Sequence, residues 1–152
     1  MSAVLGALER HAAARPDAWA MLGSETRLTY RQLAERVAAV AEALFPRPGA
    51  RCAVMLDNGI GWALTDLATR RAGAVLVPVP LFFSPQQILH VLQTSGAELL
   101  VTDQAARIAA VAGEAILELK EIGATIGQSA VLMRLRTGAA PALPGSTAKL
   151  TF

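Results

Sequence analysis

Cysteine is almost missing from this sequence: Cys52 is the only one in 152 residues. A single thiol excludes an internal disulfide and any cysteine-based metal cluster. Placed inside an apolar run, Cys52 reads as a small buried hydrophobe rather than a nucleophile. Charge is scarce as well, at 17% of residues, against roughly 25% in ordinary soluble domains. The net charge is +2 and the isoelectric point about 9.2. The basic residues are scattered, and aromatics make up only 5%. Without a basic stripe interleaved with aromatic side chains, nucleic acid is excluded as a partner. No apolar run approaches the roughly 20 residues that a membrane-spanning helix requires. No basic segment followed by an apolar one opens the chain, because Glu9, Arg10 and His11 interrupt early. The expectation is a cytoplasmic protein with no membrane span.

Hydrophobic residues are abundant instead, at 53%, with a mean hydropathy of +0.41. A chain of this length makes one domain with a real core. Its apolar surplus predicts a partner surface, covered by other subdomains of the same parent chain or by a second copy in a homo-oligomer.

The stretch from 51 to 80, RCAVMLDNGIGWALTDLATRRAGAVLVPVP, organises the rest. Its apolar run at 52–56 is followed by Asp57 and Asn58. Ile60, Leu64, Leu67 and Ala68 then recur at the spacing of one helical face. Gly73 follows Arg70 and Arg71, as expected where a helix ends and cations meet its negative dipole end. A second apolar run occupies 75–79 and is broken by Pro78 and Pro80. Two apolar runs joined by a helix predict buried parallel strands in a βαβ unit, with a right-handed crossover.

Around this unit the chain reads in order. Residues 3–14 predict a helix with Val4, Leu5 and Leu8 on its apolar side, ended before Pro16. Short strands at 18–22 and 27–28, with a turn at Gly23-Ser24, predict a hairpin. Thr29 and Gln32 form a capping-box pattern that starts a helix with Leu33, Val37, Val40 and Leu44 on one face. Ser84, Pro85 and Gln87 start another, whose buried face carries Ile88 and Leu92 and whose left-handed cap is Gly96. Residues 99–102 predict a third parallel strand, Asp103 caps a short helix, and Gly113 ends it. Residues 115–122 and 130–136 read as strands around a connection containing Gly123 and Gly127. Residues 137–146 are a linker by composition, and a new strand starts at Lys149. The fold class expected is α/β: a mainly parallel sheet of four or five strands with helices on both faces and a small N-terminal hairpin, with residues after 114 either adding antiparallel strands or belonging to a neighbouring sheet.

Four segments in this order resemble the N-terminal part of the adenylate-forming (AMP-binding) enzymes, which comprise acyl-CoA synthetases, luciferases and peptide-synthetase adenylation domains. They are RHAAARPDAWAML, LTYRQLAERVAAVAEAL, GARCAVMLDNGIGWALTDLATRRAGAVLVPVP and SPQQILHVLQTSGAELLVTD, covering roughly residues 5–104. In that family a strand reading like KLTF leads into a Ser/Thr/Gly-rich phosphate loop ending in Pro-Lys, whereas this sequence stops at Phe152. The resemblance therefore implies residues 1–136 as the N-terminal subdomain, 137–152 as a linker and first strand of the next, and truncation before the phosphate loop. It implies ATP, magnesium and CoA or a carrier-protein thiol for the full-length enzyme. It assigns no catalytic, cofactor-binding or metal residue here, and the 152-residue chain alone is expected to be inactive.

The remaining candidates have plainer readings. The segment 145–149, GSTAK, has a lysine and backbone donors, but it lacks a second glycine and a proline and precedes its strand, so it reads as linker. Gly59-Ile60-Gly61 opens a helix after a strand, as a dinucleotide fingerprint does. Leu64 stands at its third glycine position, so a helix start capped by Asn58 explains it better than a nicotinamide site. Asp57, Asn58 and Asp103 occupy the carboxyl ends of predicted parallel strands, where open sheets bind ligands, and they are also ordinary caps. His11 and His90 have no neighbouring ligand in the pattern. Phe82 and Phe83 line an acyl tunnel or pack under the missing partner, with packing favoured. Trp19 and Trp62 read as core or interface aromatics. The alternative to a ligase segment is a free-standing α/β oligomerisation or binding module.

Overall fold

The computed structural model describes residues 2–138, 140–145 and 147–152. Its elements run α1 (Ala3–Ala14), β1 (Trp19–Leu22), β2 (Arg27–Thr29), α2 (Tyr30–Leu44), β3 (Arg51–Met55), α3 (Ile60–Arg71) and β4 (Val75–Pro78). They continue through α4 (Pro85–Ser95), β5 (Leu99–Thr102), α5 (Ala105–Ala112), β6 (Ile116–Glu121), α6 (Gly123–Ile126) and β7 (Val131–Leu135).

The helix starts follow their caps. Thr29 Oγ1 accepts from the Gln32 N–H at 3.2 Å, and Gln32 Oε1 accepts from the Thr29 N–H at 2.9 Å. The same reciprocal pair joins Ser84 and Gln87 at the head of α4, satisfying donors that no helix can satisfy internally. Gly96 closes α4 with φ 69°, a left-handed conformation that glycine adopts without a Cβ penalty.

The five-stranded sheet has the order β4-β3-β5-β7-β6. β3 pairs in parallel with β4 and β5, while β7 pairs antiparallel with β5 and β6. The sheet is thus mixed, with three parallel strands and an antiparallel pair from residues 116–135. β1 and β2 form the expected separate hairpin.

Side chains alternate across this sheet, and each face is covered. Cys52, Val54, Leu76, Leu99 and Val101 face one way, towards α1, α2, α3 and α6. Ala53, Met55, Val77, Leu100 and Met133 face the other, towards α4 and α5. Because β3 and β5 are buried on both faces, their sequences read as unbroken apolar runs.

Several expectations are revised by the packing. Val4 is 52% exposed, because α1 packs through Leu5 and Leu8 and one residue is enough to rotate a side chain off that face. Gly113 does end α5, as expected, but in right-handed geometry, so the chain continues as a 3-10 turn, Gly113–Ala115. The connection through Gly123 and Gly127 coils into α6, which buries Ile126 completely. Of the two readings of Trp19, core or interface, the core one is set aside, because the ring is 56% exposed beside Arg27.

Among the described residues of 137–145 there is no helix or strand. Arg51 nevertheless ties this segment to the body, donating to Ser95 O at 2.8 Å and to Pro141 O. Lys149 then makes a single parallel bridge with Leu76 on β4. Among the described residues no helix is long and apolar enough to cross a membrane.

Candidate functional site

β3 and β5 both end, side by side, at the pole where an open α/β sheet offers its ligand crevice. Thr102 is fully buried there, donating to Met55 O at 2.7 Å and accepting from the Gln104 N–H at 2.8 Å. Its hydroxyl therefore locks the last residue of β3 to the first turn after β5. Beyond it, Asp103 Oδ2 accepts from the Asp57 N–H at 3.2 Å, and Asp57 Oδ1 accepts from the Asn58 N–H at 2.9 Å.

The structure thus brings Asp57, Asn58 and Asp103 together, as their positions in the sequence predict. It corrects their role as caps. The N-cap of α3 is Gly59, and neither Asn58 nor Asp57 caps that helix with its side chain. The N-cap of α5 is Gln104, also without a side-chain bond, while the Asp103 carboxylate turns to Asp57 instead.

The start of α3 is served from far away in sequence. Gln128 Oε1 accepts from the Gly61 N–H at 3.0 Å, and Gln128 Nε2 donates to Asp57 O at 3.0 Å. One side-chain amide thereby satisfies a helix donor and a strand-end acceptor together. The two glycines make room for it. A Cβ on Gly61 would lie 2.8 Å from Gln128 Cβ and 3.0 Å from Ile126 Cδ1, and one on Gly59 would lie 2.7 Å from Gln128 Oε1.

Gly59 and Gly61 are small to admit an amide from the turn after α6, not a pyrophosphate, and this removes the nicotinamide reading on structural grounds. No local pattern marks Gln128. The pair of glycines is its only trace in the sequence.

Replacing Gln128 by alanine is expected to cost about 1–2 kcal/mol, because a helix donor and a carbonyl lose their partner at once. Urea unfolding measures it, and a loss of only a few tenths would show that water replaces the amide freely. Gly61→Ala is expected to destabilise by about 1–3 kcal/mol through overpacking, although alanine is the better helix former.

Beside this polar cluster lies a cleft of about 340 Å³ lined by Leu56, Asp57, Asn58, Trp62 and the segment from Pro78 to Phe82. Lys149 Nζ stands 5.9 Å from the Trp62 ring centre, within cation–π range. Arg107 of α5 fixes the loop after β4, donating to Leu81 O at 2.9 Å and Phe83 O at 3.0 Å. The two phenylalanine rings meet edge to face with centres 5.5 Å apart, yet Phe83 packs on the core whereas Phe82 is 84% exposed at the cleft.

The other candidates lie elsewhere. His11 accepts from Arg15 and stacks on Tyr30, with ring centres 4.9 Å apart. His90 pairs with Thr94 on α4. Cys52 is wholly buried, and removal from water pushes its thiol up to about 12. The bond from the Val101 backbone opposes that rise and the charge of Glu98 adds to it. Among the described residues no three His, Cys, Asp or Glu side chains come together to hold a metal ion. The GSTAK segment includes Ser146, which lies outside the described residues.

The profile of the AMP-binding enzymes matches residues 8–146. The chain belongs to that family. Phosphinothricin tripeptide synthetase PhsC of Streptomyces viridochromogenes is 36% identical over 102 residues, 65% of this chain and 9% of that protein. Feruloyl-CoA synthase of an Amycolatopsis species is 35% identical over 115 residues, 72% of this chain and 23% of the synthase. The chain therefore spans less than a quarter of these curated relatives.

Among solved structures, the Klebsiella oxytoca NpsA N-terminal subdomain in complex with 3-hydroxyanthranilyl-AMSN is similar at a TM-score of 0.63 and 28% identity. That match covers 70% of this chain and 28% of the subdomain. The artificially fused adenylation–PCP di-domain NpsA-ThdA covers 99% of this chain and 23% of its own, at a TM-score of 0.63 and 22% identity, a likeness of fold. The α/β architecture with its mixed sheet and hairpin is thus that of an AMP-binding enzyme's N-terminal segment.

Proposed function

We propose that this chain serves as the N-terminal scaffold of an AMP-forming acid–thiol ligase and has no turnover alone. The whole protein would activate a carboxylic acid with ATP and magnesium and pass the acyl group to CoA or to a carrier-protein thiol. The observation that carries this reading is the family match over residues 8–146, joined to a site that is structural in character.

ATP and magnesium find no phosphate cradle at the helix start between Gly59 and Gly61, which the Gln128 amide fills. Those groups would be held by other segments of the parent, with residues 137–152 leading into the next one. The chain's own part would be the wall of the Asp57–Phe82 cleft, kept in place by Thr102 and Arg107.

The test is ATP–pyrophosphate exchange across a panel of carboxylic acids. Background exchange is expected from the 152-residue chain, and acid-dependent exchange from the same chain joined to the remainder of its parent protein. Exchange by the chain alone would overturn the scaffold reading; none by the complete parent would overturn the ligase reading.

A further inference from the structure

β6 is the longest strand of the sheet and stands at its edge. The opposite edge, β4, is met by Lys149. Among the described residues no strand pairs on the outer side of β6, and Leu117 and Leu119 on it are 40% and 53% exposed. An edge with exposed leucines and no proline is open to pairing, and its one irregularity, between Ile116 and Glu118, leaves 118–121 in regular register.

The main chain is set for it. Ile122 N–H donates to Ala130 O, and pairing runs Lys120 with Leu132 and Glu118 with Arg134. By antiparallel alternation, Leu119 and Glu121 direct their N–H and C=O away from β7, into the open.

We propose that β6 is a homodimer interface, pairing antiparallel with β6 of a second copy about a two-fold axis at Leu119. Charge complementarity selects both the occupant and the register. Centred on Leu119, Glu118 lies opposite Lys120 of the partner subunit, and symmetry repeats that pair. Both fall at non-hydrogen-bonded positions, where side chains approach most closely.

The two neighbouring registers that keep the outward groups matched fail. Centring two residues earlier in total register sets Glu118 against its own copy, and two later sets Lys120 against its own, each destabilising. Arg134 already holds Glu118 at 3.1 Å, so the partner's Lys120 completes a cation–anion–cation row. Leu119 meets its copy on the axis.

The inference does not depend on the ligase reading. Sedimentation velocity over a concentration series tests it on the 152-residue chain. The unaltered chain is expected to shift from monomer to dimer as concentration rises. Lys120→Glu and Glu118→Lys each set like charges opposite, and each is expected to raise the dissociation constant by about 10-fold or more. An equimolar mixture of the two variants restores opposite charges at both pairs and is expected to regain the dimer. Both positions are exposed, and circular dichroism verifies that the variants fold. A chain that stays monomeric at every concentration, a dimer indifferent to both substitutions, or a mixture that stays monomeric would each overturn the proposal.

Discussion

Leu100→Ala is expected to lower the unfolding free energy by about 2–5 kcal/mol, the range for truncating a buried leucine. Leu100 lies on the central strand β5, fully buried, with Ala53 on one side and Met133 on the other. It therefore touches a parallel and an antiparallel neighbour, and neither strand can move in to fill the space without breaking a ladder. The upper part of the range applies where surroundings cannot collapse, as here. Against a total of roughly 5–15 kcal/mol for a domain, this is a large share. Urea unfolding at neutral pH measures it. Val4→Ala, at an exposed site, is the control and should stay within about 0.5 kcal/mol. Equal small losses at both positions would mean that β5 is not the centre of the core.

Alkaline pH is expected to have an effect of similar size, through Cys52. The folded thiol titrates at about 12, against an ordinary value of 9.0. Above pH 9 the unfolded chain gives up a proton that the folded chain keeps, so stability falls as pH rises. The fall begins near pH 9 and continues until the folded thiol itself ionises near 12. Each pH unit in that window is worth about 1.4 kcal/mol, and the window sums to about 4 kcal/mol. Below pH 9 both states hold the proton and the contribution is flat.

Tyrosine and lysine also titrate in this range, so the quantity to follow is the stability difference between the parent chain and Cys52→Ala, under reducing conditions. That difference should change by about 1.4 kcal/mol per unit above pH 9, in favour of the variant. A constant difference from pH 8 to 11 would show that Cys52 is reached by solvent in the folded chain. Reaction with a disulfide reagent at pH 8 should likewise be slow in the native protein and rapid in denaturant.

Local signals in the sequence settle the elements through α5 and their order, whereas α6 reads there as a plain connection. Capping boxes at Thr29 and Ser84, and the apolar runs of β3, β4 and β5, are local signals. A helix start needs its own side chains within a turn, and a strand buried on both faces has few polar positions. The family was legible for the same reason, because its N-terminal motifs are these local patterns in sequence.

What meets at the strand ends follows from packing between distant segments. Asp57 and Asp103 are 46 residues apart, and Gln128 is 67 from Gly61. Their bonds depend on β3 and β5 ending side by side and on α6 packing over α3. A cap recruited from another element leaves no periodicity at the helix it serves, so Asn58 carried the right pattern for a role that Gln128 performs. The insertion of β7 between β5 and β6 was equally hidden. Strand order follows from which edges remain open once the parallel core has formed, and hydrophobic alternation within a strand carries no record of its neighbour.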